Sequence, residues 1–128
     1  MPVIDNAAAP EIPWRPGYRV FPLAGPAQGV ATATSRAEIQ PGAGAPLHIH
    51  TDLDEVLIVT AGMLELRIGE ARQTVGPDHT IAIPAGTPHG FVAIGPEPAR
   101  TFTFFARAGA FASTVFLEGT PPAGGALQ

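Results

Sequence analysis

The feature that most limits the fold is a series of short apolar runs cut at close intervals by glycine and proline. From Tyr18 onward the chain reads "YRVFPL", "GVATATSRAEI", "PLHIH", "EVLIVTAG", "MLELRIG", "RQTV", "HTIAIPAG", "HGFVAI" and "RTFTFFAR". Several of these alternate with period two. In "MLELRI", Leu64, Leu66 and Ile68 share one face of an extended chain while Glu65 and Arg67 take the other. Between the runs stand Gly62, Gly69, Gly76–Pro77, Pro84–Gly86 and Gly95–Pro98, residue types that supply or fix the backbone angles of turns. Only "GAFASTVFLEG", near the C-terminus, sustains a helical period beyond about two turns. Short strands with this punctuation predict an all-β sandwich or barrel. Residues 1–17, rich in Pro and Ala, are expected to form an irregular N-terminal arm, 18–118 the barrel, and 119–128 a short flexible tail.

A chain of 128 residues suits one domain with one buried core. Its hydrophobic content of 45% favours a packed globule over disorder. The net charge is -4, and all seven basic residues are arginines scattered from Arg15 to Arg107. No basic stripe is available to neutralise phosphates, so nucleic acid is not an expected partner. The absence of cysteine removes disulfides, thiolate metal ligands and a cysteine nucleophile. With no lysine and only Ser35 and Ser113, nucleophilic catalysis has little to work with. The stretch "MPVIDNAAAPEIPW" carries neither the basic nor the apolar region of a signal peptide. No apolar run approaches the roughly 20 residues a membrane helix needs. The expectation is a cytoplasmic protein that does not engage membranes.

The chemistry-bearing residues concentrate in "GAGAPLHIHTDLDEVLIVTAG", Gly42 to Gly62, which holds two of the four histidines. On a strand, His48 and His50 project from the same face and Ile49 from the other. "TDLD" has the composition of a turn, and a hairpin there returns Glu55 alongside the imidazoles. Two imidazoles and a carboxylate suit Fe, Mn, Zn, Ni or Cu. The same pattern also fits a polar corner between two strands. Inward polar groups in an apolar barrel are costly unless paired or ligated, which favours the metal. His89, after the Pro84–Gly86 turn, could complete a three-His, one-Glu set with positions open to substrate or O₂. His79, in "GPDHT", reads as a surface residue or one that supports a ligand from behind. Asp52 and Asp54 read as turn residues, with orientation of an imidazole as the alternative. Phe91, Phe102, Phe104 and Phe105 read as core, one or two of them lining any interior pocket. Arg67 is expected to face solvent.

These residues resemble the two motifs of the cupins. Gly42, His48, His50, Glu55 and Gly62 fall in the pattern G-x5-H-x-H-x4-E-x6-G without a departure, and Pro84, Gly86 and His89 match P-x-G-x2-H. Two positions of the second motif differ. Asp78–His79 stands where the family has Gly-Asp, and Ala93 where it often has Asn. Neither position is a ligand in the family. The resemblance spans roughly residues 30–107, with a short intermotif stretch as in small single-domain cupins. It implies a jelly-roll β-sandwich closed into a barrel, a divalent metal held by His48, His50, Glu55 and His89, and commonly a homodimer. In such dimers the N-terminal arm often joins the partner's sheet, and "IPWRPGYRVF" is the candidate here, packing on its own barrel being the alternative. Quercetin-dioxygenase-like cupins further imply an oxygenase acting on a small enol or aromatic-type molecule. Iron leads there as cofactor, with Mn, Ni, Zn or Cu as alternatives, and Glu55 serves as both ligand and catalytic base. A metal-dependent isomerase or lyase and a non-catalytic small-molecule-binding protein are the competing readings.

Overall fold

The structure is a computed structural model, and it describes residues 3–119. The expected tail, Gly119 apart, lies outside the described residues. Eleven strands follow one another: β1 (Ile12–Arg15), β2 (Tyr18–Pro22), β3 (Ala33–Ile39), β4 (Gly44–His50), β5 (Glu55–Ala61), β6 (Met63–Ile68), β7 (Ala71–Val75), β8 (His79–Ile83), β9 (His89–Ile94), β10 (Ala99–Phe105) and β11 (Thr114–Phe116). They form two antiparallel sheets, ordered β1-β2-β3-β10-β5-β8 and β11-β4-β9-β6-β7. Among the described residues there is no α-helix, and no helix is long and apolar enough to cross a membrane. This is the jelly-roll sandwich the sequence predicts.

Period-two alternation decides which side chains enter the space between the sheets. On β5, Glu55, Leu57 and Val59 point inward and are buried, while Val56, Ile58 and Thr60 point out. On β6, Leu64 and Leu66 are buried and Met63 and Glu65 exposed. The core joins Val20, Ile39, Leu57, Val59 and Ile81 of one sheet to Leu64, Leu66, Val75 and Phe91 of the other. Each such side chain contributes roughly 1.5–3 kcal/mol through burial. Ile39 and Ala99, paired across β3 and β10, close one end of the sandwich, as do Leu64 and Ala93 across β6 and β9. The other end, where β5 and β9 begin and β4 and β10 finish, holds the polar residues described below.

Two segments differ from expectation. Within the arm, Ile12–Arg15 is an edge strand paired, with a shift of register, on β2 of its own chain, and Trp14 meets Tyr18 edge-on at 5.9 Å. An edge strand tolerates proline because one side of its backbone needs no partner. "GAFASTVFLEG" does not form a helix of two turns. A single 3₁₀ turn, Ala110–Ser113, ends where the hydroxyls of Ser113 and Thr114 both donate to the Ala110 carbonyl. The chain then runs into β11, which pairs with β4.

Candidate metal centre

His48 and His50 lie on β4, whose pairing with β9 is irregular. Gly44 pairs with Val92 and Ala45 with Phe91, but His48 pairs with His89, one residue out of register. The extra residue is a bulge, and it lets both Ala45 and His48 face inward although they are three positions apart. Gly90 lies against the bulge. A Cβ at that position would stand 3.0 Å from the Ala45 carbonyl oxygen and 3.1 Å from the Leu47 nitrogen. His89, the first residue of β9, is fully buried. The turn before it is tied to the hairpin of the other ligands, because Gly86 N–H donates to the His50 carbonyl at 2.7 Å and Ala85 N–H to Asp54 Oδ1 at 2.8 Å. Glu55 opens β5 on the opposite sheet. Three imidazoles from one sheet therefore face one carboxylate from the other. One potential ligand atom from each residue lies within 4.8 Å of all the rest.

Hydrogen bonds behind the rings fix which nitrogen faces the centre. His48 Nδ1 donates to the Pro46 carbonyl at 2.7 Å and His89 Nδ1 to the Thr87 carbonyl at 2.9 Å, since a carbonyl can only accept. Thr114 Oγ1 gives its proton to the Ala110 carbonyl at 2.7 Å, so it accepts from His50 Nδ1 at 2.8 Å. With every Nδ1 protonated, each Nε2 of the neutral ring presents a lone pair inward. Yet His50 Nε2 and His89 Nε2 stand 3.2 Å and 3.1 Å from the same Glu55 oxygen. That approach is favourable only with a positive charge between the groups, either a proton on an imidazole that then donates to Glu55 or a bound cation. A divalent cation fits this donor set, three neutral imidazoles and one carboxylate buried together.

The electrostatics agree with a site built to receive a cation. Burial holds the His48 imidazole down to about 4, assisted by the charge of His89, against the pull of the Pro46 carbonyl. Protons therefore compete weakly for its inward nitrogen. Burial pushes the Glu55 carboxyl up, but hydrogen bonds with His50 and His89 and their charges outweigh it and bring it down to about 2. Glu55 is ionised inside the protein.

A cavity of about 60 Å³ opens beside the cluster, lined by Trp14, Tyr18, Phe91, Phe105 and Phe116 together with His48, His50 and Glu55. The His50 ring meets Phe105 edge-on at 5.2 Å, and His48 stacks on Phe116 at 5.4 Å. Of the four phenylalanines considered from sequence, Phe91 and Phe105 line the cavity, and Phe102 and Phe104 point out from β10. His79 is exposed, and its ring bonds to the Pro77 carbonyl. Neither Asp52 nor Asp54 touches an imidazole: Asp52 pairs with Arg107, and Asp54 holds Ala85. Arg67 reaches outward to Glu118 at 2.8 Å. Sequence reasoning missed Thr114, whose bond to His50 depends on the pairing of β11 with β4 across 64 positions.

A two-sheet antiparallel barrel with a buried three-histidine, one-carboxylate cluster near one end defines a class of small β-barrels able to hold a metal ion. The sequence profile of the cupin domain matches residues 35–105, more than half of the chain, and the chain belongs to the cupins. No curated protein sequence matches it. Its fold is similar to that of the polyketide cyclase RemF from Streptomyces resistomycificus, with a TM-score of 0.77 and 20% identity over 94% of this chain and 87% of that one. It is also similar to KdgF from Halomonas sp., with a TM-score of 0.71 and 21% identity over 80% and 91% of the two chains. A sugar phosphate isomerase of the cupin superfamily from Silicibacter pomeroyi gives a TM-score of 0.72 and 25% identity over 83% and 76%.

Proposed function

We propose that this cupin is a metal-dependent oxygenase acting on a small enol or aromatic-type substrate. The observation that carries the reading is the convergence of three inward Nε2 atoms and an ionised carboxylate beside an aromatic cavity. Among the described residues no arginine lines that cavity, and the chain has no lysine. Such walls suit a molecule that is apolar apart from its reacting oxygens, and among the described residues they offer no cationic side chain to a phosphate or a second carboxylate. A divalent ion held by His48, His50, Glu55 and His89, iron in the first instance, would supply Lewis acidity and open positions for substrate and O₂.

The remaining work falls to the chain itself. Glu55, ionised and buried, is placed to take the proton of a substrate hydroxyl. Tyr18, Phe91, Phe105 and Phe116 orient a flat substrate and exclude water from the reacting end. Pro46, Thr87 and Thr114 keep the three imidazoles in the tautomer that binds a cation.

The test is oxygen uptake by the Fe(II)-loaded protein with a panel of enols and β-diketones, paired with elemental analysis. Uptake that matches substrate loss supports the oxygenase. Glu55→Gln is expected to retain much of its metal while turnover falls at least about a hundredfold. Protein that takes up no divalent ion, and whose melting temperature is unmoved by a chelator, overturns the reading. A metal-dependent isomerase or lyase on an equally apolar substrate is the second reading, favoured by the similarity to a polyketide cyclase. Substrate loss without oxygen uptake assigns the protein to that class.

We also propose that two copies pair through the outer face of the six-stranded sheet. Val56, Ile58, Phe102 and Phe104 stand there as adjacent cross-strand neighbours, and Phe104 is 38% exposed.

A further inference from the structure

The cavity beside the cluster is small, about 60 Å³, and a second space of about 470 Å³ adjoins it. Ser35, Phe105 and Ala110 line both. Phe105 ends β10 with its ring against His50 on the inner side, so it stands as a partition between a confined head space and a wider outer groove. The groove runs between the arm, represented by Ile4 and Pro10, and the β2–β3 connection, represented by Leu23, Ala24 and Ala27. Among the described residues its one charged lining residue is Arg107, whose guanidinium is already engaged by Asp52 and by the Ala108 carbonyl. The groove is thus largely apolar, and it shares the walls formed by Ser35, Phe105 and Ala110 with the chamber beside the candidate ligands.

We infer that the substrate is elongated: its enol head enters the inner chamber past Phe105, and an uncharged alkyl or aryl tail lies in the outer groove. The inner volume alone accommodates little more than the reacting atoms. The outer groove offers area for hydrophobic binding energy away from the chemistry, which is how a small reacting group is held in place. Phe105 is then a specificity residue, passing a slender linker and rejecting a branched one next to the head.

This inference rests on the reading of the centre given above, and the experiment separates the two. Metal-free protein is titrated calorimetrically with linear primary alcohols of increasing length. Affinity should rise about fourfold per methylene until the groove is filled. Ala27→Trp, at an exposed position on the groove wall, should weaken the longest alcohol at least tenfold. Metal-loaded protein is then given β-diketones with lengthening alkyl tails. KM should fall along the series with kcat little changed, and Phe105→Trp should erase that dependence. Alcohol affinity that is flat with length, or untouched by both Ala27→Trp and Ala24→Phe, overturns the groove even if oxygen is consumed. A diketone KM independent of tail length overturns the connection between the two spaces. Length-dependent alcohol binding without turnover of any diketone supports the groove and counts against the oxygenase instead.

Discussion

The Thr114 hydroxyl lies 2.8 Å from His50 Nδ1 and spends its own proton on the Ala110 carbonyl. Thr114→Val keeps the shape and removes the acceptor, leaving a buried N–H unpaired and the ring free to change tautomer. Metal affinity should fall about 10–100-fold in a chelator competition, and Thr114→Ser should restore it. A second prediction concerns acid. Burial lowers the His48 imidazole from 6.5 to about 4, so between those values the unfolded chain binds a proton that the folded chain refuses. Stability of the metal-free protein should therefore drop as pH falls from about 6.5 toward 4. Glu55, held at about 2 against an ordinary 4.5, adds a further loss below 4.5. Thermal melts of the metal-free protein from neutral to acidic pH check this, and His48→Gln should flatten the upper part of the profile. At this scale the four candidate ligands were legible because their spacing survives as a local pattern in the chain. Thr114, Tyr18 and Phe116 were not, because no local pattern links them to the histidines.

At the scale of the element, the bulge on β4 decides the geometry of the site. Gly44 and Gly90 let β4 and β9 approach around it, since a Cβ at Gly44 would run into the Phe91 carbonyl. The atoms it would meet are all backbone, so no flexible side chain is there to yield. Gly44→Ala should cost at least about 3 kcal/mol in urea unfolding. Gly90→Ala, where the neighbours are 3.0 Å and 3.1 Å away, should cost less and disturb mainly the placement of His48. All nine runs read as strands from Tyr18 onward are strands, because alternation and turn residues are local signals. The two strands that escaped notice, β1 and β11, are edge segments of four and three residues. Each is held in place by its neighbour strand. Pro13 argued against the first, and the apolar spacing of "GAFASTVFLEG" mimicked a helix in the second.

For the whole molecule, the outer face of the six-stranded sheet carries the prediction about assembly. Phe104→Glu places a charge in the middle of the proposed apolar patch, and light scattering should report a shift from dimer to monomer with no change in the melt of the single barrel. A wild-type protein that runs as a monomer at every concentration removes the proposal. The division of ligands, three on one sheet and one on the other, has a consequence for time as well as for affinity. An ion bound by loops can leave by the motion of one loop, on the schedule of that loop. Here His48, His50 and His89 ride on one wall and Glu55 on its opposite, so a bound ion is a rivet through both. Its departure into the cavity requires ligands on both walls to let go, which makes loss of the ion slower than from a site carried by a single loop.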